Sequence, residues 1–289
     1  MDFLIYRFGR IFITLVQILP LSLVAGLGRI GGGIAFHFCG RHRRVAIGNL
    51  TMCFGAEKSA GEIYGIAKEN FKRIGENYVS AVKTAGMRFD RLKPHLEFRG
   101  FEKVPLPVAG QPAPNILMAI GHFGNFELYA RIQEVLPDYQ GATTYRGLKQ
   151  PAIDRLLQSL RGGNGCLFFE RRSEGGKLKD LMNQGGVLLG LLSDQNSAGV
   201  RGPFLGHPCN TGVAPAVFAL RYNCRLLPVS CYRISLAKWR LEVGEEIPTR
   251  ENGEARRTED IIGDINRAFE KTVRRDPANW FWVHRRWKT

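Results

Sequence analysis

Apolar residues follow two patterns along the chain, and each pattern predicts a different kind of element. Short apolar runs at residues 115–120 and 187–192 suit buried strands, and the second is typical of a central strand. An apolar stripe at helical spacing through residues 62–82 predicts an amphipathic helix. Further strands are predicted at 96–98, 142–145, 166–169, 226–231 and 239–243, and further helices at 43–50, 128–135, 152–160, 177–182, 214–221 and 261–273. This alternation predicts an α/β fold, in which one domain has a mixed, largely buried sheet flanked by helices.

The amino-terminal region carries a long apolar segment. Residues 11–28 contain no charged side chain and would cover about 27 Å as a helix, slightly less than a typical hydrocarbon core. Pro20 lies near the middle and would kink that helix. A single span, a helix lying in the interface and a buried helix all fit this pattern, and we favour membrane attachment. The chain then divides into a membrane-anchoring segment, residues 1–39, and a main domain, residues 40–289.

Basic residues flank this segment unequally. Two arginines precede it and four follow within a short distance: Arg7 and Arg10 before it, and Arg29, Arg41, Arg43 and Arg44 after it. If the segment spans a membrane, this excess would keep the main domain on the cytoplasmic side. The same cluster could hold anionic lipid headgroups.

The overall charge indicates which classes of partner the protein attracts. The 289-residue chain has a formal net charge of +15 and a pI near 9.9, which implies anionic partners such as nucleic acid, a membrane surface, phosphorylated substrates or an acidic protein. Its six cysteines are scattered without a Cys-x-x-Cys pair, which argues against a zinc site or a disulfide framework and fits a reducing compartment. The sequence contains no P-loop, no GxGxxG fingerprint and no GxSxG elbow.

A histidine and a carboxylate lie five positions apart where the strand at 115–120 should give way to a helix. His122 would lie on the turn, and Glu127 would lie in the first helical turn, with Asn125 placed to cap it. Gly121 and Gly124 would let the backbone approach a ligand closely. The arrangement suits an imidazole base steadied by an ionised carboxylate. Such a pair also occurs often by chance, so the surrounding residues decide.

Polar residues follow three of the predicted strands. His122, Arg146 and the pair Asp194-Gln195 come where strands should end. In open α/β sheets ligands collect at the carboxyl ends of the strands, so these residues are expected to share one cleft. A solvated charge at Arg146 and a turn at Asp194 are the structural alternatives.

An ordered set of motifs runs along nearly the whole chain. It comprises Arg43-Arg44 with Asn49-Leu50, His122 with Glu127, Tyr145-Arg146 with Pro151, Asp154 and Arg161, Asp194-Gln195, Pro203-Phe204-Leu205-Gly206 with Thr211, and the ending Trp280-Phe281-Trp282-Val283-His284-Arg285-Arg286-Trp287-Lys288. In this ordered set, which is more specific than the His-x4-Glu pair alone, the sequence resembles the late acyltransferases of lipid A biosynthesis, the lauroyl and myristoyl transferases of the lysophospholipid acyltransferase superfamily. Gln150, Leu205 and Gly147 depart from the family pattern, which affects the exact acceptor and acyl chain more than the chemistry.

The resemblance implies transfer of a fatty acyl group to a hydroxyl of a lipid A precursor, at the cytoplasmic face of the inner membrane. The donor would be acyl carrier protein, or acyl-CoA as co-substrate, with no cofactor and no metal. An acidic carrier protein, a phosphorylated glycolipid and membrane lipids are the expected partners of a basic face, and nucleic acid is not expected. The tryptophans of the ending could meet acyl chains and phosphates at an interface, or could form a lid over the core.

Residue roles follow from the same resemblance. His122 would take the proton of the acceptor hydroxyl, and Glu127 would orient the imidazole. Arg161 or Arg146 would stabilise the oxyanion, with backbone amides near Gly124 as the competitor, and transfer would be direct, without an acyl-enzyme. Asn125, Asp194 and Gln195 complete the candidate substrate-binding or oxyanion residues.

Three other functions fit parts of the sequence. A lysophospholipid or another glycolipid could be the acceptor in the same chemistry. A non-enzymatic membrane or nucleic-acid binding protein would also be basic and aromatic, although no nucleic-acid motif appears. A metal hydrolase would need a third ligand beside His122 and Glu127, and none is evident.

Overall fold

A computed structural model describes residues 2–108, 110 and 113–288 and gives the predicted α/β fold. The α-helices are α1 (Asp2–Ile18), α2 (Leu21–Phe38), α3 (Gly40–Phe54), α4 (Ala60–Ala85), α5 (Phe89–Leu92), α6 (Pro151–Arg161), α7 (Gly175–Gln184), α8 (Ala214–Arg221) and α9 (Thr258–Arg275). The strands are β1 (Leu96–Arg99), β2 (Ile116–Ile120), β3 (Gln140–Tyr145), β4 (Leu167–Glu170), β5 (Val187–Leu192), β6 (Asn196–Phe204), β7 (His207–Thr211), β8 (Arg225–Ser235), β9 (Lys238–Val243), β10 (Arg250–Glu251) and β11 (Glu254–Ala255). Four 3₁₀ segments complete the described elements: Lys93–His95, Phe101–Lys103, Phe126–Glu134 and Pro277–Asn279.

The core is a seven-stranded mixed sheet in the order β1-β9-β8-β2-β5-β3-β4. All its pairs are parallel except β8 with β9, and the predicted mixed sheet is therefore confirmed. Every residue of β2 is buried, as its uninterrupted apolar run requires for a strand covered on both faces. Because β2, β5, β3 and β4 are parallel, their carboxyl ends meet at one edge of the sheet.

Two predictions of local structure need correction. The segment predicted as a helix at 128–135 is a 3₁₀ helix, Phe126–Glu134, rather than an α-helix. The hairpin of β6 and β7 was not predicted, because its strand residues are largely polar or glycine and lack an apolar alternation. The segment 105–114 contains four prolines, which predict a loop. It includes Ala109, Gln111 and Pro112, which lie outside the described residues, and its other residues form no helix or strand.

The apolar amino-terminal segment is divided between two helices. The helix is interrupted at Pro20, so residues 11–28 do not form one continuous helical span. Helix α2 instead packs closely on α4: a Cβ added to Gly75 would lie 2.2 Å from the carbonyl oxygen of Gly28, which only glycine permits. The buried carboxylate of Glu76 reinforces this contact, since it accepts hydrogen bonds from Arg29 on α2 and Arg233 on β8.

Apolar side chains nevertheless cover the outer faces of α1 and α2. The exposed ones are Phe3, Leu4, Phe8, Ile11, Phe12, Leu15 and Ile18 on α1, and Leu23, Leu27, Ile30, Ile34 and Phe38 on α2. Among the described residues, α2 is the one helix long and apolar enough to cross a membrane. One of the basic residues that follow the segment, Arg29, forms salt bridges with Glu69 and Glu76. It is therefore not available to lipid headgroups.

Candidate active site

Sheet register brings His122 together with Asp194. Ile120 at the end of β2 pairs with Leu192 at the end of β5, and each polar residue lies two positions further on. The Nδ1 atom of His122 is 2.6 Å from Oδ1 of Asp194, and the backbone N–H of His122 donates to Oδ2 at 2.7 Å. The second bond fixes the turn, and the first fixes the plane of the ring.

Asp194 is a buried carboxylate that stays ionised. It is 1% exposed, and the indole Nε1 of Trp280 donates to its Oδ2 at 2.7 Å. Burial alone would raise its pKa, but the charge and hydrogen bonds of His122, with the bond from Trp280, outweigh burial and hold the pKa below its ordinary value. With Asp194 ionised, Nδ1 of a neutral His122 carries the proton and Nε2 is free to accept one.

Glu127 does not contact the imidazole through a hydrogen bond, contrary to the role expected from the sequence. Its Oε1 accepts from Nη2 of Arg161 at 2.7 Å, and its Oε2 from Nε at 3.3 Å. The carboxylate that orients His122 is Asp194. The difference follows from geometry: Glu127 lies inside the 3₁₀ turn and reaches across to α6, whereas Asp194 emerges from the neighbouring strand.

The turn between His122 and Glu127 is held by backbone contacts. Gly124 has φ +53°, and a Cβ there would lie 2.6 Å from the carbonyl oxygen of Cys231, so glycine is required. Its N–H donates to the carbonyl of Asn279 at 3.1 Å, which makes this amide unavailable to an oxyanion. Asn125 is the residue before the 3₁₀ helix, but its side chain makes no capping bond and has no hydrogen-bond partner among the described residues. The predicted cap is therefore wrong.

One cleft of about 900 Å³ opens at this edge of the sheet. His122, Glu127, Arg146, Arg161 and Gln195 all line it, with Asp194 buried behind the imidazole. The shared cleft predicted from the strand ends is present. Arg146 is exposed within it, while Arg161 is occupied on one side by Glu127.

Aromatic rings enclose the imidazole away from Asp194. The centroid of Phe126 lies 4.9 Å from that of His122, and the centroid of Phe281 lies 6.0 Å away. Tyr78 packs edge-on against both phenylalanines. Tyr78 and Phe281 also line an almost wholly apolar cavity of about 640 Å³ between α1, α2 and α4. Tyr78 lines both this apolar cavity and the cleft that contains His122, so the two cavities meet at its ring.

The tryptophan-rich ending packs into the core, which favours the predicted lid over the predicted interface for acyl chains and phosphates. Trp280 and Trp282 are 2% and 0% exposed, and their ring centroids are 4.7 Å apart. Arg286 is also buried and donates to the carbonyls of Gln195 and Asn210 and to the hydroxyl of Thr211. This guanidinium ties the ending to the β6–β7 hairpin.

Asn49, in the amino-terminal motif, binds the backbone of the tryptophan-rich ending. Its Nδ2 donates to the carbonyls of Trp282 at 2.9 Å and His284 at 2.8 Å. Helix α3 thus holds the ending that supplies Trp280 to Asp194 and Phe281 to His122. The distant motifs Asn49, Asp194 and Trp280 support one imidazole.

Fold and site together define a class: an α/β protein with a buried carboxylate–imidazole pair at the carboxyl edge of its sheet. The sequence profile of the bacterial lipid A biosynthesis acyltransferases matches residues 2–289. The chain belongs to this acyltransferase family.

Two curated relatives agree with this assignment. The chain is 24% identical over 279 residues to the lipid A biosynthesis palmitoleoyltransferase of Escherichia coli (strain K12), covering 94% of this chain and 87% of that protein. The lipid A biosynthesis acyltransferase of Shigella flexneri matches at 24% identity with the same coverage.

Proposed function

We propose that this acyltransferase moves a fatty acyl group from acyl carrier protein to a hydroxyl of a lipid A precursor, with His122 as the general base. The observation that carries the proposal is the hydrogen bond from Nδ1 of His122 to the buried, ionised Asp194. It leaves Nε2 as the nitrogen that takes the hydroxyl proton. The oxygen then attacks the thioester carbonyl, and the protonated imidazole is stabilised by Asp194 until the thiol leaves with a proton.

Arg161 is the proposed oxyanion donor. It lines the same cleft as His122, and two of its guanidinium nitrogens bind Glu127 while Nη1 makes no hydrogen bond among the described residues. Glu127 then acts by holding this cation in place rather than by holding the imidazole. A preorganised donor of this kind typically contributes about 10²–10³-fold in rate.

Direct transfer without an acyl-enzyme is part of the proposal. Burial raises the pKa of the thiols of Cys53, Cys166 and Cys224 to about 12, and that of Cys231 further, which makes them poor nucleophiles at neutral pH. His122 can instead activate the acceptor hydroxyl itself.

The location proposed for the enzyme is the cytoplasmic face of the inner membrane. The exposed apolar faces of α1 and α2 support membrane contact, because burying them in lipid removes a large apolar area from water. The net charge of +15 supports attraction of an acidic carrier protein and of a phosphorylated acceptor.

An assay with purified protein tests this function. Acyl carrier protein and coenzyme A thioesters of matched chain length are offered with a lipid A precursor, a lysophospholipid and an unrelated glycolipid, and products are identified by mass spectrometry. Transfer from the carrier protein to the lipid A precursor is expected. Transfer only to a lysophospholipid or another glycolipid would show that the proposed acceptor is wrong. Transfer only from coenzyme A would show that the proposed donor is wrong.

A further inference from the structure

Two arginines stand side by side at the far end of the cleft. Tyr145 on β3 pairs in register with Glu170 on β4, and the next residues are Arg146 and Arg171. The N–H of Arg171 donates to the carbonyl of Tyr145 at 3.0 Å, which continues the ladder and fixes the two backbones together. Both side chains are exposed and line the cleft that contains His122.

Neither guanidinium has a carboxylate partner among the described residues, unlike the other arginines of the cleft. Arg161 pairs with Glu127, and Arg131 pairs with Glu134. Asp154 lines the same cleft but pairs with neither arginine, and its Oδ1 accepts from the N–H of Leu148.

Glu170 is engaged in the same way. Its Oε2 accepts from the N–H groups of Arg172 and Ser173, so it turns into the following loop. Two adjacent unpaired cations that share a concave site attract an anion.

We propose that Arg146 and Arg171 form a phosphate-binding subsite of the cleft. Arginine pairs suit phosphate because each planar guanidinium donates two parallel hydrogen bonds to its oxygens. In the strand order, β3 lies two positions and β4 three positions from β2, so at the ordinary strand spacing these ends lie about 10 and 14 Å from the end that carries His122. The subsite would thus hold a phosphate away from the reacting hydroxyl and thioester.

The inference rests on the proposed function for the source of the phosphate, which is either the glycolipid acceptor or the phosphodiester of the donor's prosthetic arm. Both present the same chemistry to the arginines. Kinetics separate them, because an interaction with one substrate changes the KM for that substrate alone. Binding of a simple phosphate probe tests the subsite without reference to either.

The variants are Arg146→Gln, Arg171→Gln and the two combined, with Arg172→Gln as the matched control. Arg172 is adjacent and exposed but does not line the cleft, so its variant loses the same charge outside the subsite. Each cleft variant is expected to raise one KM by about tenfold, the loss of one charge-assisted hydrogen bond, with kcat within about twofold. The control should match the wild type.

Substrates without phosphate identify the source. If the acceptor supplies it, the wild type prefers a phosphorylated over a dephosphorylated acceptor and the double variant loses that preference. If the donor supplies it, the double variant raises the KM for acyl carrier protein but uses a short acyl thioester without phosphate at the wild-type rate. Unchanged KM values for both substrates, or an equal effect of Arg172→Gln, would overturn the subsite.

Calorimetry with inorganic pyrophosphate measures phosphate binding at the subsite without depending on enzyme turnover. The wild type and Arg172→Gln are expected to bind pyrophosphate, and the double variant to bind it at least tenfold more weakly. If the wild type transfers nothing to a lipid A precursor yet shows this difference, the proposed function fails and the subsite stands. If the double variant binds pyrophosphate as the wild type does, the subsite fails.

Discussion

Asp194 contacts His122 twice, with one oxygen 2.6 Å from the imidazole Nδ1 and the other accepting from the backbone N–H at 2.7 Å. One buried carboxylate therefore sets both the position of the residue and the orientation of its ring. Trp280 holds the carboxylate from a third side. In the proposed mechanism, these three contacts hold the imidazole in the orientation that proton transfer requires.

The first prediction concerns Asp194→Asn. The amide keeps the shape of the carboxylate but loses its charge and can favour the wrong tautomer of His122, so kcat should fall about 10²–10⁴-fold. Steady-state kinetics with an acyl carrier protein thioester would measure it, with circular dichroism as the check on folding. A folded Asp194→Asn enzyme with wild-type kcat would remove Asp194 from the mechanism.

The second prediction concerns the pair Glu127 and Arg161. Arg161→Lys should lower kcat by about 10²–10³-fold, because a single ammonium replaces the bidentate fork that Glu127 holds. Glu127→Gln should lower it through the same cation, so the double variant should be no slower than Arg161→Lys alone. A double-mutant cycle measures this. Additive losses would mean that Glu127 acts separately from Arg161.

The third prediction concerns the contact between α2 and the rest of the fold. Glu76 is 0% exposed and binds Arg29 and Arg233, so Glu76→Ala leaves two cations without their buried partner and should lower the free energy of unfolding by about 3–5 kcal/mol. The control is Glu69→Ala, which breaks the partly exposed pairs with Arg29 and Arg73 and should cost about 1 kcal/mol or less. Chemical denaturation in detergent measures both, and equal losses would contradict the account.

The fourth prediction concerns Cys166, a thiol that lines the same pocket as the proposed oxyanion donor Arg161. It shares an inner pocket of the cleft with Glu127 and Arg161, and its pKa is raised to about 12 by burial. Cys166→Ala should keep kcat within about twofold, since a protonated thiol is a poor nucleophile. Intact-protein mass spectrometry during turnover should detect no acylated enzyme. An acyl group on any cysteine would establish a two-step mechanism instead.

Much of the fold was predictable from apolar patterning. The apolar runs that form β2 and β5 are buried along all or nearly all of their length. A strand that is covered on both faces needs apolar side chains on both, so an uninterrupted apolar run predicts it. Pro20 marked the break between α1 and α2, but the pattern could not show that α2 would pack on α4 through Gly28 and Gly75. Such close helix contacts depend on tertiary geometry rather than on hydrophobicity.

The site was predictable in its members but not in their partners. Strand ends indicated that His122, Arg146 and Asp194 would share a cleft, because the carboxyl ends of parallel strands converge. Sequence proximity suggested Glu127 as the partner of His122, whereas the partner in space comes from β5, through the register of Ile120 with Leu192. Strand order and register are long-range properties that one sequence does not display.

The most direct test of the account is the rate at which His122→Ala transfers an acyl group from acyl carrier protein to a lipid A precursor, measured beside the wild type under saturating substrates. If His122 is the general base, the rate should fall at least about 10²-fold, since general-base catalysis contributes about 10²–10⁴-fold, with the fold intact by circular dichroism. Transfer by His122→Ala at the wild-type rate would contradict it.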